Sequence, residues 1–342
     1  MISRKYFLAV VMAVLLGGLL LRFFLVKSPP AGGALAAPRN VVQSELPSTA
    51  ALLPLPPLTS PPSDKALLGQ RLFSDTRLSR NDTVACISCH DLSAAGDDQK
   101  AVAVGIDGQQ GAINVPTVFN SSLNFVQFWD GRAASLEAQA VGPVHNPLEM
   151  GSNWPEVIGK LNQDESYRRA FAQIYRQEIS GETIVDAIAA FERTLLTPNS
   201  RFDRFLEGDM TALDALEQSG YQRFLDYGCA SCHQGAGIGG NMFQRFGVMD
   251  DYFAGREPKP ADLGRFNVSG REEDRNVFKV PSLRNVAVTE PYFHDASART
   301  LEEAVIVMGR YQLGRELSYS DVKSMTAFLR TLTGEWQGRP LR

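Results

Sequence analysis

Two copies of one short motif, Cys86-Ile87-Ser88-Cys89-His90 and Cys229-Ala230-Ser231-Cys232-His233, use all four cysteines of the chain. C-x-x-C-H attaches a c-type haem: the two thiols add to its vinyl groups, and the adjacent histidine lies close enough to give the iron an axial nitrogen. A zinc site would need further ligands at metal-like spacing, and a redox dithiol does not require the histidine. The expected cofactors are therefore two covalently bound haems c.

The motifs belong to a longer repeat. Val115-Pro116-Thr117-Val118-Phe119-Asn120 matches Val280-Pro281-Ser282-Leu283-Arg284-Asn285, and Phe128-Trp129-Asp130 matches Phe293-His294-Asp295. Without a gap, Ser135-Leu136-Glu137 then falls on Thr300-Leu301-Glu302. The second copy carries a longer insert, residues 234–279, between its haem motif and the Val-Pro turn. Helical patterns flank these units. Ser180 can cap a stripe of Ile184, Ile188, Phe191 and Leu195 that stops at Pro198. Ser320 can cap another of Val322, Met325, Leu329 and Leu332, closed by Gly334. Leu213, Leu216 and Phe224 precede the second haem motif in the same way. Strand-like alternation is scarce. The expected fold class is all-α, two cytochrome c-like haem domains in tandem over residues 63–205 and 206–342.

Arg4 and Lys5 precede an apolar run over residues 6–21, resumed at residues 23–26 after Arg22. Residues 1–27 thus read as a signal peptide, cut near Ala34-Leu35-Ala36, or as an uncleaved anchor of about 20 residues. The distance of Ala36 from the run favours the anchor. Nine of the 19 prolines lie between Pro29 and Pro62, so residues 28–62 read as an extended tether. The expected location is the periplasm, free or held at the inner membrane. Residues 1–37 contain four basic and no acidic side chains, leaving 30 basic against 38 acidic residues in the rest. That balance argues against nucleic acid and suits a basic protein partner. A homodimer is compatible with the sequence.

The duplication also bears on the sixth iron ligands. Met308 lies 14 residues beyond His294, and a thioether there gives a low-spin haem of higher potential, suited to electron transfer. As core filler it would be an ordinary methionine. The ungapped alignment places Pro143 opposite Met308, and proline offers iron nothing. His145, two positions on, is the rival ligand. The preferred reading is one open iron and one His/Met iron, a division that implies catalysis as well as transport.

These residues resemble the bacterial di-haem cytochrome c peroxidase family, MauG-type members included. The match runs from Leu68 to Gly334. Its carriers are Arg77-Leu78-Ser79, then Phe128-Trp129-Asp130-Gly131-Arg132-Ala133 running on to Glu149-Met150, then Pro291-Tyr292-Phe293-His294-Asp295 leading to Met308-Gly309-Arg310-Tyr311-Gln312-Leu313-Gly314. The resemblance implies a peroxidatic haem on His90 in the first domain and an electron-entry haem on His233 and Met308 in the second. It makes Glu149 the acid–base group, Gln139 its neighbour over the open iron, and Trp129 the conduit between the haems. It also implies a calcium ion bound by the Asn114 side chain and the carbonyls of Thr289 and Pro291. Without the resemblance, Glu149 would read as an exposed loop acid and Trp129 as core. Breaking the O–O bond of a peroxide requires a proton moved from its inner to its outer oxygen, which a carboxylate over the iron can do.

There is one departure. Many members carry a histidine after the first haem motif that blocks the peroxidatic iron until the other haem is reduced. Here Val104-Gly105-Ile106-Asp107-Gly108 fills that stretch, and Ile106 cannot ligate. MauG-type members also keep that iron open, but they use a tyrosine where this chain has Met308. The leading expectation is reduction of hydrogen peroxide with electrons from a small periplasmic cytochrome c or copper protein. The rivals are a MauG-like oxidase of a protein or organic substrate and a pure electron carrier. Glu149 and the missing first-half ligand weigh against the carrier.

Overall fold

The computed structural model describes residues 51–57 and 60–342. The apolar leader, with the signal peptide or anchor expected there, lies outside the described residues. Among the described residues no helix is long and apolar enough to cross a membrane. Thr49–Arg342 form one compact unit.

Helices dominate. They are α1 Asp64–Phe73, α2 Leu136–His145, α3 Trp154–Leu161, α4 Glu165–Tyr175, α5 Gly181–Glu192, α6 Arg201–Leu206, α7 Ala215–Asp226, α8 Phe266–Ser269, α9 Leu301–Val307 and α10 Tyr319–Arg330. The strands form two short antiparallel ribbons: β1 Phe243–Arg245 with β2 Val277–Lys279, and β3 Glu335–Trp336 with β4 Arg339–Pro340. Ser180 caps α5 as its sequence predicts, its hydroxyl accepting from the Thr183 amide. In α10 the cap is Ser318 rather than Ser320. Asp321 stands three residues beyond Ser318 and accepts back from its amide, a reciprocal box that draws Ser320 into the first turn.

The duplication is visible in the packing. α5 crosses α1 where a Cβ on Gly69 would stand 1.8 Å from the Ala187 carbonyl and 2.9 Å from Phe191 Cβ. α10 crosses α7 where a Cβ on Gly220 would stand 1.9 Å from the Ser324 carbonyl and 2.9 Å from Phe328 Cβ. Only glycine permits either approach. Between the halves, Asn120 and Asn285 take left-handed backbone conformations and donate to the same Thr197 hydroxyl, at 2.8 and 3.0 Å. Their amides donate to the Leu195 and Leu332 carbonyls, and their side-chain oxygens accept from the amides of Thr197 and Gly334 at 3.0 Å.

Each half also borrows a strap. Leu52, 1% exposed, packs in the second core with Phe202 and Phe328, and its backbone bridges to Gly235. Residues 51–57 are thus packed chain, not free tether, because their leucines find an apolar groove between prolines. At the other end, Trp336 and Leu341 pack with the first core, and Trp336 meets Phe119 edge-on at 5.5 Å. A division at residues 205 and 206 therefore does not separate the two packing units.

Candidate functional site

Each haem motif opens on a single 3-10 turn, Cys86–Ser88 or Cys229–Ser231, and in both the histidine amide donates to the first cysteine's carbonyl at 3.0 Å. The Phe73 ring stands 6.3 Å from His90 and the Phe224 ring 6.5 Å from His233, on matching turns of α1 and α7. Burial lowers the pKa of both imidazoles, that of His233 to about 4. Both are therefore neutral, the form that ligates iron. His90 Nδ1 lies 3.0 Å from the Gly96 carbonyl, which leaves Nε2 for a metal. His233 Nδ1 turns towards the backbone of Ile238 and Pro281 without closing a hydrogen bond.

A cavity in the second half is lined by Cys229, Cys232, His233, Met308, Leu329 and Trp129. Met308 begins a wide turn, Met308–Gln312, that ends α9. Gln312 Oε1 accepts from the amides of Gly247 at 2.6 Å and Val248 at 3.2 Å, tying the insert to that turn. The residues fit a haem. Lys279 lines the same cavity, 6% exposed, with no hydrogen-bond or ion-pair partner among the described residues. Burial pushes its ammonium down to about 8. A buried cation without a counter-charge is costly, and a haem propionate would supply one.

In the first half, α2 ends at His145 and the chain turns back through Glu149, whose carbonyl accepts from the Ile106 amide at 2.8 Å. Ile106 is 1% exposed and packs against Gly151. Gly105 lies so close that a Cβ there would stand 2.1 Å from the Leu148 carbonyl. The loop without a histidine is therefore locked against the loop that carries Glu149. Burial pushes the Glu149 carboxyl above its usual range, opposed by the Asn146 amide, which donates to Oε1 at 2.7 Å, and by Arg132. Burial raises the Cys89 thiol, and the charges of Asp98 and Glu149 add to the rise. Gln139 is half-buried on α2 and makes no side-chain hydrogen bond to Glu149. His145 is exposed, edge-on to Trp154 at 5.2 Å, rather than turned inward as a ligand would be.

Trp129 lines the second-half cavity, and its Nε1 donates to the Asn114 carbonyl at 2.9 Å. Asn114, Thr289, Pro291 and Asp97 line that cavity too. Asn114 Nδ2 donates to the Lys100 carbonyl at 2.8 Å. Asp97 Oδ1 and Asp98 Oδ2 are buried without partners, and burial together with Asp98 pushes Asp97 up to about 7. Such orphaned carboxylate oxygens suit a hard cation.

Residues 63–211 match the profile of the family described as di-haem cytochrome c peroxidase. "Cytochrome c551 peroxidase" of Nitrosomonas europaea is 46% identical over 89% of this chain and 89% of its own length. This chain belongs to the di-haem cytochrome c peroxidase family. "Cytochrome c peroxidase Ccp" of Escherichia coli is 48% identical over 82% of this chain, which spans 60% of that longer relative. The crystal structure of a MauG-like protein associated with microbial copper homeostasis superposes with a TM-score of 0.74 at 30% identity, covering 85% of this chain and 95% of that one. As a di-haem peroxidase the chain carries two covalently bound c-type haems and is an oxidoreductase that uses peroxide.

Several buried charged residues were not singled out from the sequence. Lys279 falls opposite Asn114 in the duplication, and that lysine-for-asparagine exchange was the available signal. Arg284 likewise falls opposite Phe119, but its partner Asp203 at 2.7 Å and the Asp262 partner of His294 at 2.9 Å are remote in sequence and carry no such signal.

Proposed function

We propose that this peroxidase reduces hydrogen peroxide to two waters in the periplasm, drawing two electrons from a small cytochrome c or copper protein. Cys229, Cys232, His233 and Met308 would hold the haem at which electrons enter, and Cys86, Cys89 and His90 the haem at which they are used. When bound, the haems supply iron that exchanges electrons one at a time and, where a position is open, receives a small oxidant. The observation that carries the reading is the pairing of a half-buried Glu149 carboxyl with Ile106, on loops packed against each other in the first half.

Glu149 can accept a proton from the peroxide oxygen nearer the site and return it to the outer one, which leaves as water. A carboxyl raised by burial has a basicity suited to both transfers. Asn146 holds Oε1 and leaves Oε2 free to exchange the proton. Gln139 would orient the oxidant from α2. Trp129, fixed by its bond to the Asn114 carbonyl, stands against the second-half cavity where an electron must leave for the first. Lys279 would meet a haem propionate. A calcium ion would sit by the Asn114 side chain and the Thr289 and Pro291 carbonyls, balancing Asp97 and Asp98.

No side chain on the Ile106 loop has to leave before peroxide binds. Stopped-flow mixing with peroxide should therefore find the fully oxidised enzyme as fast as the half-reduced one, within about threefold. An oxidised enzyme that stays silent until prereduced defeats the reading. MauG-like oxidation of an organic or protein substrate shares the open first haem; substrate oxidation without turnover of a reduced cytochrome would select it.

A further inference from the structure

The two helix crossings set a register between the halves. Ala187, Phe191 and Leu195 correspond to Ser324, Phe328 and Leu332, through the glycine contacts and the asparagine amides described above. Position 192 therefore corresponds to Leu329, which is 5% exposed and lines the cavity around His233. In the first half the residue is Glu192, equally buried at 5%. Its Oε2 is enclosed without a partner, and neither carboxyl oxygen has a hydrogen bond among the described residues. A leucine there fills a wall; a glutamate places a titratable group in it.

No cation pairs with the Glu192 carboxyl among the described residues. Arg193, the next residue, is held by Glu137 of α2 at 2.6 Å. On α1, Lys65 pairs with Asp186 and Arg71 donates to Ser166. On α2, His145 lies against Trp154. On the haem loop, burial raises the Cys86 thiol and the Glu192 charge adds to the rise. Burial pushes Glu192 up to about 8, with Arg193 drawing it down and Glu137 adding to the rise.

We propose that Glu192 is a redox-linked proton site of the first haem, taking up one proton from solvent as one electron arrives at that iron and releasing it on reoxidation. Resting on the assignment of the first haem as peroxidatic, this deepens that reading: one of the two protons that peroxide reduction consumes would be held next to the haem. The cause is electrostatic. The extra positive charge of the oxidised iron favours the carboxylate in a low-dielectric wall, and its loss on reduction favours the neutral acid. One proton and one electron enter together, so charge is conserved within the pocket.

The test is spectroelectrochemical titration of each haem in the holoprotein, from about pH 5 to about pH 9. The reduction equilibrium of the first haem should shift towards the oxidised form as pH rises, by up to about tenfold per pH unit in its steep region. Glu192→Gln keeps the shape and removes the proton; Glu192→Leu installs the second-half residue. Both should lose that dependence, leaving the second haem unchanged. A redox-difference infrared spectrum should show a carboxyl signal missing from the Gln variant. Retention of the full pH dependence in both variants overturns the proposal. Should neither variant hold haem, a wild-type infrared spectrum with no carboxyl change on reducing the first haem overturns it equally. A protein that shows the Glu192 dependence but does not turn over peroxide defeats the peroxidase reading alone.

Discussion

At three matched positions the second half has Met308, Arg284 and Leu329, where the first has Pro143, Phe119 and Glu192. At the positions that hold the backbone, the halves agree: Gly69 with Gly220, Phe73 with Phe224, Asn120 with Asn285. At these positions the residues that allow close backbone approach are kept, while side chains that line a cavity or meet a buried charge differ. A duplicated scaffold can specialise this way because packing constrains backbone approach far more tightly than it constrains the chemistry of a pocket wall.

The largest expected difference between the halves is in stability. Arg284 is fully buried, donates to Asp203 at 2.7 Å and to the Leu53 carbonyl at 2.8 Å, and so ties the strap to the second core. Arg284→Met strands a buried carboxylate and should cost about 3 to 5 kcal/mol in urea unfolding of the holoprotein. Phe119→Met, at the matching position, should stay below about 1.5 kcal/mol. Equal costs would break the comparison.

A loss in rate comes next. Glu149→Gln should slow the reaction with peroxide by roughly 100-fold, about 2.7 kcal/mol in the barrier, with the oxidised spectrum nearly unchanged. Normal rates by stopped flow would remove Glu149 from proton transfer and leave the two-haem architecture intact.

How much of this was legible follows from where the repeat keeps a constant offset. From Asn114 to Pro143 the copies align without a gap, so the Val-Pro turns, the Pro143–Met308 exchange and the Lys279–Asn114 exchange can all be read by counting. Beyond that window the connecting loops differ in length. Glu192 meets Leu329 only through the crossings at Gly69 and Gly220, which no motif announces. Straps from residues 51–57 and 335–341 were hidden for a related reason. Proline density reads as extension, and extension does not exclude a leucine from a groove. The Ser318 cap was open to view, since Ser318 and Asp321 form the box; the apolar stripe beginning at Val322 drew attention to Ser320 instead.

A smaller effect should be equal in the two halves, which sharpens the comparison. Gly69→Ala and Gly220→Ala each drive a methyl into a facing carbonyl at 1.8 and 1.9 Å. Each should cost about 1 to 3 kcal/mol by overpacking. A cost confined to one of them would mean that the crossings are not equivalent.

The smallest effect separates stability from chemistry. Arg193 pairs with Glu137 at 2.6 Å and Arg330 pairs with Glu302 at 2.9 Å, at matched positions of the two halves and on partly exposed side chains. Exposed pairs contribute little, so Arg193→Met and Arg330→Met should each change unfolding by less than about 1 kcal/mol. The halves differ in what stands next to the arginine. Beside Arg330 is Leu329, which does not titrate. Beside Arg193 is Glu192, whose ionised form that guanidinium favours. Removing it should raise the Glu192 pKa further and move the pH dependence of the first haem's reduction to higher pH. The second haem should not respond to Arg330→Met. Spectroelectrochemical titration of both variants decides the matter: an alkaline shift at the first haem alone keeps the asymmetry in Glu192, whereas a shift at neither, with Glu137 still in place, would put the effective charge on the Glu137 side of α2.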